Sequence, residues 1–363
     1  MNVSQNPEVV AGPPVTQPVL SPLTASAIIV VLTIDARGEP VVHELLTDLS
    51  GLTRTVGFRS PQGGLAVVAG VGSTAWDRLF VGARPAELHP FLALDGGRHR
   101  AIATPGDLLF HIRAATMDLC WEFASLVMAR LAGVATVIEE VHGFKYFDER
   151  DLLGFVDGTE NPTGSTAEAA VTIGNEDPDF AGGSYVIVQR YLHDLVAWEG
   201  LTVEQQEEVI GRSKLSNVEM DDTVKPSNSH VALNTIVEPD GTQRQILRAN
   251  MPFGSLAAGE IGTCFIGYAA SPSVTELMLK RMFLGDPPGN YDRILDFSTA
   301  VSGTLFFVPT ADFLDDPPPL PQEDERSAIS IGGNGADEKT AASKASSNGN
   351  ASLGIGSLRN TPG

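Results

Sequence analysis

The apolar and polar positions of the first half of the chain predict a strand, a second strand and a helix. Residues 27–34 and Leu108–Ala114 are apolar runs, which are typical of buried strands. From Met117 to Leu131 the polar residues fall mainly on one stripe, as they do in an amphipathic helix. The order strand, strand, helix is therefore expected before residue 150.

The second half repeats this order at a similar spacing. Residues 185–192 and 263–269 have strand patterns, and residues 274–283 have a helical one. Repetition of the same elements indicates an internal duplication. Because the strands of such a repeat need not all be parallel, the pattern favours an α+β fold over a doubly wound parallel sheet.

The two ends of the chain differ from this folded part. Residues 1–24 are rich in proline, which predicts an extended arm. We divide the folded part into residues 25–150 and 151–311. Residues 312–351 are mostly Ser, Gly, Ala, Asn and scattered charges, and such a segment predicts a disordered linker because it cannot bury enough apolar surface.

A short apolar cluster returns at the end of this polar segment, within residues 352–363. It consists of Leu353, Ile355 and Leu358, separated by small residues. By composition alone the cluster is either a chance feature or a docking peptide whose aliphatic side chains fill pockets on a partner.

Charge and composition exclude several classes of partner. The chain has 24 Lys and Arg against 45 Asp and Glu, a formal charge of −21. Nucleic acids and anionic membrane surfaces would be repelled by such a chain. The longest apolar stretch, residues 25–34, is too short to span a bilayer, and two cysteines cannot build a disulfide framework. We therefore expect a cytoplasmic protein with no membrane segment.

Three ionisable residues stand in apolar surroundings, and each leaves two interpretations open. Asp157 either shapes a turn or offers a partly desolvated carboxylate for proton transfer. His230 is either a core histidine or a ligand. Arg248, which precedes Asn250 by two positions, must either pair with a carboxylate or carry a function. The chain has no G-x-G-x-x-G motif after a strand, P-loop, H-E-x-x-H or C-x-x-C motif, so nucleotide and zinc sites lack their usual support.

Taken together, these segments resemble the dye-decolorizing peroxidases. The sequence GFVDG at residues 154–158 matches the G-x-x-D-G signature of that family, and TENP follows it. His230, Arg248 and Asn250 occur in the family's order, and GNYDR at residues 289–293 resembles a later motif. The resemblance covers residues 25–310 and is closest to the bacterial B-type branch.

This resemblance implies a fold of two ferredoxin-like halves, similar to a dimeric α+β barrel, with haem b bound in the second half. His230 would be the axial ligand of the haem iron, and Asp292 would accept a hydrogen bond from its other ring nitrogen. Arg212 resembles a position that pairs with a haem propionate, although a surface ion pair is the alternative.

The resemblance also implies that Asp157, Arg248 and Asn250 surround bound hydrogen peroxide. Asp157 would move a proton, Arg248 would stabilise the negative charge of the departing oxygen and contact the haem, and Asn250 would orient peroxide or water. We expect Arg248→Ala to slow the reaction with peroxide more than Asp157→Ala does.

The implied activity is that of a haem peroxidase which oxidises dyes, phenolic or aromatic donors, or Mn²⁺. A haem-handling protein that removes iron from haem, similar to a deferrochelatase, is the alternative, and a cofactor-free assembly protein is a third. Four aromatic side chains could relay electrons from the surface, although ordinary core or interface packing explains them as well: Tyr185, Tyr191, Trp198 and Tyr268.

The C-terminal cluster of Leu353, Ile355 and Leu358 resembles the targeting peptide by which such peroxidases enter encapsulin shells. This resemblance implies an encapsulin shell protein as partner and a location inside an encapsulin nanocompartment of the cytoplasm. Internal duplication and packaging together favour a homo-oligomer.

Overall fold

The computed structural model describes residues 14–323 and Arg326. Residues up to Pro321 belong to one compact unit, and the residues after it are grouped separately. The predicted docking residues Leu353, Ile355 and Leu358 lie outside the described residues. No helix in the described part is long and apolar enough to cross a membrane.

The described chain contains strands and helices in alternating groups. The strands are β1 (Ser26–Ile34), β2 (Ala66–Gly72), β3 (Leu94–Asp95), β4 (Arg100–Ala101), β5 (Leu108–Ala114), β6 (Ala135–Phe144), β7 (Ser184–His193), β8 (Ile236–Val237), β9 (Gln243–Arg244), β10 (Leu247–Arg248), β11 (Met251–Ser255), β12 (Glu260–Ala269), β13 (Ser298–Ala300) and β14 (Thr304–Val308). The helices are α1 (Glu39–Thr47), α2 (Leu49–Gly57), α3 (Ser73–Leu79), α4 (Met117–Leu131), α5 (Gly164–Val171), α6 (Leu195–Glu199), α7 (Val203–Ile210), α8 (His230–Asn234), α9 (Pro272–Leu284) and α10 (Ala311–Asp315).

One antiparallel sheet of ten strands runs through both halves of the chain. Its order is β10-β12-β7-β14-β2-β5-β1-β6, with β11 paired to β12 and β13 paired to β7. The halves join where β14 pairs with β2, through Phe306 opposite Gly72 and Phe307 opposite Val71. This antiparallel sheet with interspersed helices confirms the predicted α+β class.

The sheet curls so that its two ends meet, which gives it the predicted barrel-like form. A Cβ placed on Gly143 of β6 would lie only 2.5 Å from the Cβ of Met251 in β11. Glycine is needed at this crossing because any side chain would collide with the neighbouring strand. Val141 of β6 and Phe253 of β11 belong to the same apolar core, so the sheet closes around that core.

Strand alternation supplies a separate core to each face of the sheet. In β1, Ile28 and Val30 join the core that the helices cover, whereas Ile29 and Val31 join the core inside the curl. Both faces of β1 are buried, which explains why its sequence is an unbroken apolar run rather than an alternating one.

The predicted repeat is confirmed at the level of elements. The helix predicted for Met117–Leu131 is α4, and the strand predicted for Leu108–Ala114 is β5. The patterns at residues 185–192, 263–269 and 274–283 correspond to β7, β12 and α9, each of which extends a few residues further. The two cysteines are buried as packing residues.

The segments just before β1 and just after β14 pack against the rest of the fold. Gln17 is buried, and its side-chain amide bonds to the backbone of Ala69 and to the carbonyl of Pro309. After β14, Leu314 of α10 is buried in the helix-covered core. Phe313 also stacks on Trp76, so the packed chain includes the first residues of the segment 312–351 for which a linker is predicted.

Candidate active site

A large cavity opens in the second half of the chain, where the long connections around β7, α8, β10 and α9 meet. Its empty space, which includes the solvent at its open mouth, is about 1390 Å³. The structure brings five of the six predicted residues of this site to its wall: Asp157, Arg212, His230, Arg248 and Asn250. The sixth, Asp292, lies behind His230.

His230 is positioned by a helix cap on one side and by a buried carboxylate on the other. It is the first residue of α8, whose N-cap Ser229 accepts a hydrogen bond from Ala232 N. The fully buried Asp292 places Oδ2 2.7 Å from His230 Nδ1. A carboxylate acceptor fixes the imidazole proton on Nδ1, so Nε2 keeps its lone pair. Within residues 14–323 no partner bonds to that Nε2, so its lone pair is available at the cavity wall to a ligand or a metal ion.

Asn234 completes the support of this histidine. Its Nδ2 lies 2.8 Å from the carbonyl of His230 and 3.3 Å from Asp292 Oδ2. Asp292 is itself anchored, because its Oδ1 accepts the N–H of Ile294. The imidazole is therefore held in one orientation by Asp292, which does not line the cavity, and by Asn234, which does.

Asp157 both shapes a turn and lines the cavity. Its Oδ1 accepts the N–H of Gly158, at 2.6 Å, and Gly158 has a φ of +74°, so the side chain does shape the turn. Its Oδ2 accepts a hydrogen bond from Asn250 Nδ2, at 2.9 Å. Asn250 is oriented in turn by Ile266 N, which donates to its Oδ1. The turn thus places an oriented carboxylate at the cavity wall.

The backbone of Arg248 is held by hydrogen bonds, whereas its guanidinium has no partner among the described residues. Asn161 clamps it from both sides, accepting from Arg248 N at 3.0 Å and donating to Arg248 O at 2.7 Å. Its guanidinium forms no ion pair or hydrogen bond with any other described residue. The purely structural alternative, a pair with a carboxylate, is therefore not found in residues 14–323, and the cavity gains an unpaired positive charge.

Arg212 lies at the same wall within a network of its own. Its Nη1 is 2.8 Å from Glu160 Oε1 and 3.4 Å from Glu219 Oε2, and its Nε donates to Asn217. The ion pair that was the alternative for this residue is present. It coexists with the position at the cavity, since only 12% of the side chain is exposed and Arg212 lines the cavity.

The sequence did not single out two ionisable residues that also line the cavity. The carboxyl of Asp151 has its pKa raised to about 7, by burial and by the nearby charge of Asp157. His193 bonds to Ser298 Oγ through Nδ1 and to Thr263 Oγ1 through Nε2, and burial lowers its pKa to about 4, so it is neutral. For His193 the sequence carried only a weak signal, which is a histidine at the end of an apolar strand.

A smaller cavity adjoins the large one and shares part of its wall. It holds about 420 Å³ of empty space and shares Asp157, Arg248 and Asn250 with the large cavity, whereas His230 borders only the large one. The carboxylate and guanidinium therefore stand where two spaces meet. Of the four aromatic relay candidates, Tyr191 lines the large cavity, and the others are buried in packing positions: Tyr185, Trp198 and Tyr268.

Chemically, the cavity pairs one available imidazole nitrogen with a proton-transfer group and a cation. A single imidazole can supply one axial ligand to an iron whose remaining ligands come from a macrocycle. The oriented carboxylate of Asp157 can accept and return a proton, and the unpaired guanidinium of Arg248 can stabilise a developing anion. The residues present therefore fit haem, which is the group that the sequence resemblance implied.

Comparison with known proteins gives consistent matches over most of the chain. The family model of Dyp-type peroxidase, N-terminal, matches residues 16–145, and that of Dyp-type peroxidase, C-terminal, matches residues 148–313. A dye-decolorizing peroxidase of Rhodococcus erythropolis is 67% identical over 311 residues, which are 86% of this chain and 91% of that protein.

Two solved structures are similar in fold as well as in sequence. The encapsulated DyP-type peroxidase from Mycobacterium smegmatis is 61% identical with a TM-score of 0.84, covering 85% of this chain and 100% of that one. A DypB variant of Rhodococcus jostii in complex with heme is 57% identical with a TM-score of 0.82, covering 83% of this chain and 98% of that one.

Proposed function

Because the chain belongs to the Dyp-type peroxidase family, we propose that it is a haem b peroxidase that reduces hydrogen peroxide in the cavity of its second half and oxidises dyes and other aromatic donors. One observation carries the proposal. A single cavity is lined by an imidazole backed by a buried carboxylate, by an oriented carboxylate and by an unpaired guanidinium, namely His230, Asp157 and Arg248.

His230 would hold the cofactor through Nε2, and Asp292 would strengthen that bond. A carboxylate that accepts the Nδ1 proton raises the basicity of the opposite nitrogen and fixes the plane of the ring. Arg212 would hold a negatively charged propionate at the wall. When bound, haem supplies a redox-active iron with an open position at which peroxide can be reduced.

Asp157 would transfer the proton that cleavage of the O–O bond requires. Each of its oxygens already accepts one hydrogen bond, from Gly158 N and from Asn250 Nδ2, and each retains a second lone pair. The carboxylate can therefore take the proton from one peroxide oxygen and deliver it to the other. Asn250 keeps the carboxylate turned toward the cavity while this happens.

Arg248 would stabilise the negative charge that builds on the departing oxygen. Its backbone is clamped by Asn161, so the guanidinium acts from a fixed origin and needs little reorganisation. Reduction of one peroxide to two waters consumes two electrons and two protons. The donors of those electrons are dyes, phenols or Mn²⁺, and the net charge of −21 attracts the cationic ones.

The chain is also proposed to be cargo of an encapsulin shell in the cytoplasm, as a homo-oligomer. The relative from Mycobacterium smegmatis is an encapsulated peroxidase. The terminal cluster of Leu353, Ile355 and Leu358 supplies aliphatic side chains that could fill pockets on a shell protein, with small residues between them that permit close approach.

The peroxidase proposal is tested by spectroscopy and turnover on the haem-loaded protein. His230→Ala is expected to abolish the Soret band of the bound haem. It is also expected to abolish dye turnover with peroxide, whereas His142→Ala, a surface variant, retains both the band and the turnover. A protein that binds haem but oxidises neither dyes nor phenols, and releases free iron from the haem, would contradict the proposal in favour of haem handling.

The cargo proposal needs a separate test, because it does not depend on catalysis. Deletion of residues 352–363 is expected to leave peroxidase activity unchanged and to abolish co-purification with a co-expressed shell protein. Packaging that persists after this deletion would contradict the assignment of the docking peptide.

A further inference from the structure

Two basic side chains lie inside the curl of the sheet with a nitrogen atom left unsatisfied on each. His111 and Arg113 share one face of β5 with Leu109, which belongs to the core inside the curl. His111 is fully buried, and Arg113 is 2% exposed. Neither His111 Nε2 nor Arg113 Nε has a hydrogen-bond partner among the described residues. Buried polar atoms of folded proteins nearly always bond to protein, water or a bound ion.

The guanidinium of Arg113 also lacks a counter-charge, because no carboxylate pairs with it within residues 14–323. Its Nη1 donates to the carbonyl of Ser21 at 3.2 Å, and its Nη2 donates to the carbonyl of Pro18 at 2.6 Å. Carbonyl oxygens satisfy hydrogen bonds but do not neutralise a charge, and an uncompensated buried charge is costly. A negative charge beside the guanidinium would remove this cost.

Arg190, a second arginine inside the curl, is compensated by protein groups instead. It lies on β7 opposite Cys264, which belongs to the same core as Leu109. Its Nη1 is 3.2 Å from Glu260 Oε2, and its Nε is 3.9 Å from Glu139 Oε1. The Nε of Arg190 has no hydrogen bond either, but two carboxylates balance the charge. The two arginines therefore differ in whether the chain itself supplies the negative charge.

His111 carries a proton at the unsatisfied Nε2. The hydroxyl of the buried Tyr268 lies 2.8 Å from His111 Nδ1 and has no other hydrogen-bond partner in the described chain. Burial raises the pKa of the Tyr268 phenol and lowers that of the imidazole, so the phenol is protonated and the imidazole is neutral. Because the phenol donates to Nδ1, the single imidazole proton is on Nε2.

The register of the sheet leaves room beside Arg113. This residue lies opposite Ala27 of β1 on one side and opposite Ala66 of β2 on the other. Both neighbours are therefore small, whereas His111 lies between the larger Ile29 and Val68. The carbonyls of residues 18 and 21 accept from Arg113, so the segment before β1 covers this end of the curl. The surroundings are enclosed and largely apolar, and they present two unsatisfied N–H groups.

From these contacts we propose that one chloride ion, or another monovalent anion of similar size, is bound inside the curl between Arg113 Nε and His111 Nε2. Both N–H groups donate to it, and its charge compensates that of the guanidinium. A water molecule could accept the same two bonds, but it adds no charge and brings two protons that need acceptors. Since Arg113 joins β5 to residues 18–21, the anion stabilises the contact between that segment and the sheet.

The test measures equilibrium unfolding of the haem-loaded full chain in urea, because guanidinium chloride would itself supply the anion. Sodium chloride is exchanged for sodium gluconate at constant ionic strength, since gluconate is too large for the enclosed site. An anion that binds only the folded chain is expected to lower the unfolding equilibrium constant about tenfold for each tenfold rise in chloride above its dissociation constant. Arg113→Met, which keeps a long side chain without the charge, is expected to remove this dependence.

Arg190→Met is the matched control, because it removes an arginine of the same curl whose charge Glu139 and Glu260 already balance. This variant is expected to retain the chloride dependence of the wild type. The proposal is overturned if chloride and gluconate have the same effect on the wild type, if Arg113→Met still responds to chloride, or if Arg190→Met no longer does.

Diffraction supplies a second readout that does not require a variant to fold. Crystals of the wild-type protein grown in sodium bromide are expected to show an anomalous peak between the side chains of Arg113 and His111 at the bromine absorption edge. A water molecule at that position, or bromide peaks confined to the protein surface, would contradict the proposal. Neither readout depends on the peroxidase activity proposed above.

Discussion

The two halves of the chain contain the same order of strands and helices, but they pack these elements differently. In the first half, α4 lies against β1 and β5 and buries Leu119 and Phe123 in the core. In the second half, the corresponding helix α9 turns Thr275, Met278 and Met282 toward the cavity. The helix of the first half packs against a filled apolar core, whereas the helix of the second half borders a cavity. The ionisable groups of the candidate site line that cavity.

Two arginines show the same contrast at the level of single side chains. Arg78, in the first half, is buried and donates to Glu39 Oε1 at 2.6 Å, to Asp107 Oδ2 at 3.2 Å and to the carbonyl of Ile34. Arg248, in the second half, lines the cavity and has no such partner in the described residues. The first guanidinium is paired with its neighbours, whereas the second is free for the role that we propose for it.

Removing the paired arginine should therefore cost stability rather than catalysis. Arg78→Ala leaves Glu39 and Asp107 as buried carboxylates without a counter-charge, which is expected to lower the free energy of unfolding by about 3–5 kcal/mol. Denaturant unfolding of the holoenzyme measures this, and the rate per folded molecule should not change. Arg59→Ala, which breaks the exposed pair with Glu122, is the control and should cost at most about 1 kcal/mol. Equal losses in the two variants would contradict the assignment.

Removal of the unpaired Arg248 should cost catalysis rather than stability. Arg248→Ala is expected to slow the reaction with peroxide by about 10²–10³ in stopped-flow measurements, the size seen when one anion-stabilising donor is lost, with little change in stability. The other arginines of the cavity cannot replace it, because Arg212 and Arg244 already pair with carboxylates. Asp157→Ala should cost less, because Asp151 offers a second carboxyl in the same cavity. Comparable losses for the two variants would refute this ranking.

The contrast between the halves also explains what the sequence could predict. The long strands and α4 follow from burial, since strands covered on both faces are apolar throughout and a helix at the surface keeps one polar stripe. Short strands such as β8, β9 and β10 carry no such period because each has only two residues. Arg248 lies in one of them, and only its apolar neighbours in sequence made it conspicuous.

The candidate site was predictable where a charge stood alone among apolar residues, and not elsewhere. Asp157 and His230 fulfil that condition, and the structure brings both to the cavity. Asp151 ends the charged run of residues 148–151, which resembles an ordinary solvated turn. That its carboxyl turns inward depends on the hydrogen bond from Phe155 N and on the packing of the turn, and neither is encoded in a local pattern.

Substitution of Asp292, which lies behind His230, tests how strongly the candidate site depends on a residue outside the cavity. Asp292→Asn keeps an acceptor for His230 Nδ1 but removes its charge, so the imidazole becomes a weaker base. A loss of about 10–100-fold in haem affinity or peroxide reactivity is expected, together with a more positive reduction potential of the iron. Asn234→Ala is the comparison, because it removes neutral hydrogen bonds to Asp292 Oδ2 and to the carbonyl of His230 but no charge, and it should change the potential less. An unchanged potential in Asp292→Asn would contradict the role of Asp292.

The smallest expected effect concerns Asp151, where the open half should lose stability as pH rises. Its pKa in the folded protein is about 7, above the ordinary value of 3.8 for an aspartate, because burial and the charge of Asp157 disfavour the ionised form. Between these two values the folded state binds more protons than the unfolded state, so this group stabilises the fold fully below about pH 4 and loses that contribution as pH rises through 7. Asp151→Asn keeps an acceptor for Phe155 N and cannot ionise. Its unfolding free energy relative to wild type should therefore increase from pH 5 to pH 8, and a difference that stays constant over that range would show that Asp151 does not titrate in the cavity.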